Sequence, residues 1–216
     1  MGAKTWMLVY ADSDPSKHLR SDTQLDRDRS IALANRLFNK DKLELISDRS
    51  NLTYTCPDDN EVVVGSFQNI AIVAASEFGI DYPSRLPKHF LDNAPQRDVY
   101  LHAMHSAVDW FAFAHWSDGK LMRSLSLSPD SGVLEDIGPR LAFEEPYWNG
   151  EHPALDPSED QDSYPFQFHP LELGEAALKE FFGYQLEGFV DESLLDPENV
   201  PLLLLQRSKS WWKFWK

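Results

Sequence analysis

Cysteine, positive charge over one long stretch, and extended apolar runs are all scarce in this chain of 216 residues. Cys56 stands alone, so no intrachain disulfide and no thiolate metal cluster can form. No segment approaches the roughly 18 apolar residues of a membrane-spanning helix; the longest candidate, "VPLLLLQ", is far shorter. The opening "MGAKTWMLVYADSD" has too short an apolar run for an export signal, and Trp6 stands where a myristoylation pattern needs Ser or Thr. These absences predict a soluble, cytoplasmic protein. There is no G-x-G-x-x-G after a strand, no phosphate loop around "GAKT" and no G-x-S-x-G elbow, so nucleotide binding and serine hydrolysis find no support.

The shortage of positive charge is local. Between residues 141 and 206 Lys179 is the only Lys or Arg, against fifteen Asp and Glu, whereas residues 207–216 hold four bases and no acid. A net charge of −15, concentrated in one block, argues against nucleic acid, whose phosphates demand the opposite sign. It favours cationic partners or a divalent cation, or else marks a solvated acidic face.

The apolar pattern is rich in strands. Residues 5–11, "EVVVGSF" and "NIAIVAASEF" read as apolar strands, as do "KLELISDRSNLTYT" and residues 200–206. "DVYLHAMHS", "DWFAFAHW" and "KLMRSLSLS" form a meander, with Asp118-Gly119 as a hairpin turn. In the last of these, Leu121, Arg123, Leu125 and Leu127 alternate with Met122, Ser124, Ser126 and Ser128, the serines suggesting a solvated face. "VLEDIGPRLAF" continues irregularly or as one more short strand. Helices are expected over residues 21–38, in "PSRLPKHFLDNA", and from Pro170 to Gly183 or Gly188. The pattern predicts one α+β domain over residues 1–206, a mostly antiparallel (mixed) sheet with about three flanking helices. Residues 151–165 read as an exposed acidic loop and 207–216 as a basic tail.

Several groups could carry chemistry. His102 and His105 are three apart, which on a strand sends them to opposite faces; a cross-strand pairing of either with His115 is the arrangement that could ligate a metal. Otherwise they are hydrogen-bonded sheet residues. His152 and His169 precede prolines and read as capping or turn residues. Asp12 and Asp14 follow a buried strand, as the carboxylates of Mg²⁺-dependent phosphoryl-transfer folds do. The competing assignment is an Asx turn at Asp14 before Pro15, with Asp12 closing the strand. In the tail, Trp211, Trp212 and Trp215 mix with Lys209, Lys213 and Lys216. That mixture suits weak contact with a membrane surface, docking on another protein, or folding back on the acidic block.

The stretches "MGAKTWMLVYADSDP", "PSRLPKHFLD", "VYLHAMHSAVDWFAFAHWSDGKLMRSLSLSPDSGVLEDIG", "FEEPYWNGEHP" and "FHPLELGEAALKEFFGYQLEG" resemble an uncharacterised actinobacterial family of unknown function. The resemblance spans most of residues 1–188, excludes the tail, and meets Ser13 where glycine is expected. It implies a soluble bacterial protein and transfers no catalytic residue. The reading that follows is a non-catalytic binding module, an adaptor or immunity-type protein whose acidic half meets a basic partner, with no resident cofactor. Two alternatives stand beside it. One is a metal-dependent hydrolase built on Asp12, Asp14 and the sheet histidines; the other is a peripheral membrane adaptor held by residues 207–216.

Overall fold

The strand Lys4–Ala11 (β1) is apolar without alternation, the mark of a strand covered on both sides, and Met7 to Ala11 are fully buried. The computed structural model describes residues 2–21, 24–93, 96–156, 164–188 and 191–208. After β1 come α1 (Pro15–Ser21), α2 (Arg27–Leu37), β2 (Lys42–Asn51), β3 (Glu61–Ser66), β4 (Ile70–Ala74), α3 (Lys88–Asp92) and β5 (Asp98–His105). Then follow β6 (Trp110–Ser117), β7 (Lys120–Ser128), β8 (Gly132–Ile137), α4 (Glu145–Trp148), α5 (Pro170–Phe182) and β9 (Pro201–Ser208). The nine strands of the described residues form one sheet in the order β2-β9-β3-β4-β1-β5-β6-β7-β8. Every neighbouring pair is antiparallel, so the sheet is not mixed.

Period two sends alternate residues into two cores. Met7, Val9, Phe111, Phe113, Leu125 and Leu127 pack under α1, α4 and α5, whose contributions include Leu19, Tyr147, Leu173 and Phe182. Leu8, Tyr10, Val73, Leu101 and Ala112 pack under α2, α3 and the 3-10 turn at Ser76–Phe78, through Leu33, Leu37, Phe78 and Phe90. The result is α+β, sheet-dominated and covered by helices on both faces.

The helices are shorter and more numerous than the periodicity predicts. Of the helix expected over 21–38, only Ser21 is shared with the preceding α1; α2 starts at Arg27, where the Asp26 side chain accepts a hydrogen bond from Arg29 N at 3.0 Å. "PSRLPKHFLDNA" is divided into a 3-10 turn at Pro83–Arg85 and α3, since Pro87 disfavours helical backbone at Leu86. α4, a single turn, carries no periodicity to read. Gly183, at φ +75°, ends α5 in the left-handed conformation that glycine tolerates.

Two other expectations change. The strand expected over residues 200–206 is β9, which inserts between β2 and β3 and runs two residues into the expected tail. Arg207 is held there by Glu77 at 2.6 Å and Asp41 at 3.4 Å, over the Phe38 ring. The serines of β7 are not solvated: Ser124 and Ser126 are fully buried and Ser128 nearly so. The Pro83–Arg85 turn helps cover that face, and the Glu135 carboxylate accepts from Ser84 N at 2.9 Å, Ser84 Oγ and Ser124 Oγ. Near the start of β7 the register shifts by a bulge opposite His115 and Trp116. Leu121 therefore packs with the second core while Leu125 packs with the first.

Candidate functional site

The three sheet histidines end up in three unrelated environments. Across β5 and β6, Tyr100 faces His115, His102 faces Phe113 and His105 faces Trp110, so no two histidines pair. His102 is fully buried beneath α5. Its Nε2 donates to Gly174 O at 3.0 Å, which leaves Nδ1 to accept from Thr5 Oγ1 at 2.7 Å. Burial drives its pKa down to about 4, only partly opposed by the Gly174 bond, so it is a neutral link between β1, β5 and α5. A Cβ on Gly174 would approach the Phe111 ring at 3.0 Å and Met104 Sδ at 3.1 Å, which is why α5 can lie this close. His115 stacks flat on Tyr100 at 4.4 Å and meets Asp98 at 3.3 Å. Burial lowers its pKa, and Asp98 opposes that without reversing it.

Asp12 and Asp14 do not converge with these histidines on a common point. Asp12 is exposed. Asp14 accepts from Ser16 N at 3.0 Å and Ser16 Oγ at 2.7 Å, and pairs with Lys17 at 3.2 Å, which is the Asx turn that begins α1. Burial alone would raise its pKa, but the Ser16 and Lys17 contacts outweigh that and hold it low. Among the described residues, no group of three or more His, Cys, Asp or Glu is placed to hold a metal ion. His169 caps α5, its Nδ1 accepting from Leu171 N at 3.3 Å, and His152 stacks on Tyr147 at 4.3 Å. Trp211, Trp212, Lys213, Trp215 and Lys216 lie outside the described residues.

One surface of the structure instead stands out by charge. The segment after β8 supplies α4, the loop beyond it, α5 and the turns leading to β9. Their described residues pack on the α5 side of the sheet, through Tyr147, Phe168, Leu173, Phe182, Leu186 and Leu195, so the described part of the acidic block forms much of one layer. Lys179, its one base, bonds Asp191 at 3.4 Å. Glu172, Glu180, Glu187, Glu192, Asp196 and Glu198 make no ion pair with Lys or Arg among the described residues. Four of them and Asp191 stand on the turns between α5 and β9, beside a cavity of about 450 Å³ lined by Glu187, Asp191, Glu192 and Asp196. Glu175 supports this loop from below, accepting from Leu186 N at 2.8 Å and Glu187 N at 3.2 Å. Burial lifts its pKa to about 7 in spite of those two bonds. The charge count exposed this surface in the sequence, but not the cavity, because Glu175 and the turn it braces are joined only by folding.

A family described as of unknown function (DUF6928) matches residues 5–204. The chain belongs to this family. No curated protein and no solved structure matches the chain. Membership in DUF6928 carries no activity to transfer, so function rests on the surfaces above. No helix among the described residues is long and apolar enough to cross a membrane.

Proposed function

We propose that this DUF6928 protein is a non-catalytic binding module whose acidic layer receives a basic segment of a protein partner. The observation that supports it is that Glu187, Glu192 and Asp196, beside the cavity, have no Lys or Arg partner among the described residues. Opposite charge on a partner steers encounter and fixes orientation, and an interface of this kind weakens as salt screens it over a Debye length of about 8–10 Å. Three of the polar side chains considered above already have internal partners: His102 in the β1–α5 link, Asp14 in its turn, and Ser124 against Glu135. The test is titration of a synthetic oligo-lysine peptide into the chain and into a variant carrying Glu187→Lys, Glu192→Lys and Asp196→Lys. Binding that falls steeply with salt and disappears in the variant is expected; binding indifferent to both would overturn the reading. A chain ending at Ser208 extends the test to the basic segment 209–216, which competes for the acidic layer if it folds back, so truncation would tighten peptide binding.

A further inference from the structure

At the opposite end of β1 and on the opposite face, three aromatic rings meet. Trp6 lies 6.0 Å from Trp110 and 5.6 Å from His105, with the ring planes tilted by 46° and 38°, an open V. The three come from adjacent strands: His105 pairs with Lys4 on one side and with Trp110 on the other. Trp110 is fixed by its Nε1 donating to Ser126 Oγ at 3.2 Å. Trp6 is held close against Gly79, where a Cβ would stand 2.9 Å from the indole. The rings border a cavity of about 350 Å³, whose other walls include Asp81 and Asp130. Both aspartates are exposed, and neither has a hydrogen bond or ion pair among the described residues. On the far side of Trp6 a second hollow of about 550 Å³ carries Asp58 and Asp59. No Lys or Arg lines either hollow; beside the second, Arg207 donates to Asp59 O at 3.2 Å, and the charge of Lys4 is felt by Cys56 and His105.

We propose that this aromatic cradle binds the guanidinium of an arginine side chain presented by a polypeptide. A planar cation stacks on tryptophan faces, and the quadrupole attraction is strongest for indole. Two unpartnered carboxylates at the rim then accept the N–H groups that guanidinium directs outwards in a fixed fork, a match that a quaternary ammonium, having no N–H, cannot make. The volume lies at the bottom of the roughly 300–1,000 Å³ of small-molecule sites, which fits one side chain and not a nucleotide-sized cofactor. The rim favours a polypeptide over a free small cation. Val108 is 51% exposed beside the cavity, and Val133 is 45% exposed on the sheet-edge strand β8, next to the lining residue Leu134. This site is separate from the acidic layer and does not rest on the reading of that layer.

The experiment is a ¹H–¹⁵N titration of the full chain with acetyl-Gly-Arg-Gly-amide, following the indole Nε1–H signals of Trp6 and Trp110. Parallel titrations use the lysine tripeptide, tetramethylammonium and methylguanidinium. Both indole signals are expected to shift with the arginine peptide, at a dissociation constant on the order of 1 mM for one exposed side chain. The Asp81→Asn/Asp130→Asn double variant, altered only at exposed positions, should bind on the order of tenfold more weakly. Trp6→Leu should abolish the Trp110 shift, and Lys4→Met, which removes the neighbouring positive charge, should strengthen binding. Failure of the arginine peptide to move either indole would overturn the proposal. So would equal binding of the lysine peptide or tetramethylammonium, or indifference to loss of the two carboxylates. Methylguanidinium binding as tightly as the tripeptide would remove the polypeptide from it.

Discussion

The two halves of the sheet are held together by different physics. From β5 to β8 each strand pairs with its neighbour in sequence, and polar anchors are buried among the side chains. Arg123 is fully enclosed, its guanidinium bonded in parallel to Glu144 at 2.9 and 2.6 Å and also to Asp136. Glu135 draws the Pro83–Arg85 turn onto Ser124. From β2 to β4 the sheet is assembled by β9, and its interior there is almost wholly aliphatic: Val62, Val63, Val64, Leu202, Leu203 and Leu205. Directional bonds fix position in the first half, and area removed from water does most of the holding in the second.

The sharpest break is Glu144→Ala, which leaves the Arg123 charge enclosed without its main partner. A loss of about 3–5 kcal/mol is expected in urea unfolding. A matched change on the aliphatic side, Leu203→Ala in β9, removes apolar contacts and opens a cavity, with an expected loss of about 2–5 kcal/mol. The two differ in how they can be rescued. Adding Arg123→Met to Glu144→Ala removes the stranded charge and should recover part of the loss, whereas the same change added to Leu203→Ala should recover nothing; equal behaviour would erase the contrast.

His102 and Glu175 test the polar anchors by titration. His102 has a folded pKa of about 4 against an ordinary 6.5, so the unfolded chain binds the proton first. Its contribution is complete above pH 6.5 and lost as pH falls towards 4, about 3 kcal/mol at 1.36 kcal/mol per unit. Glu175 works in reverse. Its folded pKa of about 7 exceeds the ordinary 4.5, so the stability it contributes is complete below pH 4.5 and lost as pH rises through 7. The two partly cancel in the intact protein. His102→Gln should unmask a decline in stability between pH 5 and 7, and Glu175→Gln a rise, each read from denaturation midpoints. The smallest effect expected is Ile46→Thr on edge strand β2, where the side chain is 48% exposed: under about 0.5 kcal/mol.

What could be read in advance follows the same division. The meander was legible because its pairings are local and its turns carry chemistry; Asp118 and Gly119 both take the positive φ that the hairpin needs. The position of β9 was not, because "PLLLLQ" has no alternation and names no neighbour. The serines of β7 misled because a polar residue facing a covering turn looks like one facing water until Glu135 is seen beside it. Asp14 was legible as an Asx turn through Pro15 alone. The aromatic cradle was hidden: Trp6, Asp81, His105, Trp110 and Asp130 come from five separate segments. Its one local signal was the placing of His105 and Trp110 on either side of a tight turn.

The insertion of β9 also sets an order of assembly. β2 has one sheet neighbour, and that neighbour is made after the other eight strands. While the chain is being synthesised, β2 and the outer side of β3 therefore wait as open templates, exposed to whatever extended segment arrives first. Closure spans some 150 residues of intervening chain, a long loop to organise before any ladder bond rewards it. The described sheet is zipped shut by a strand that is synthesised after all the strands it joins.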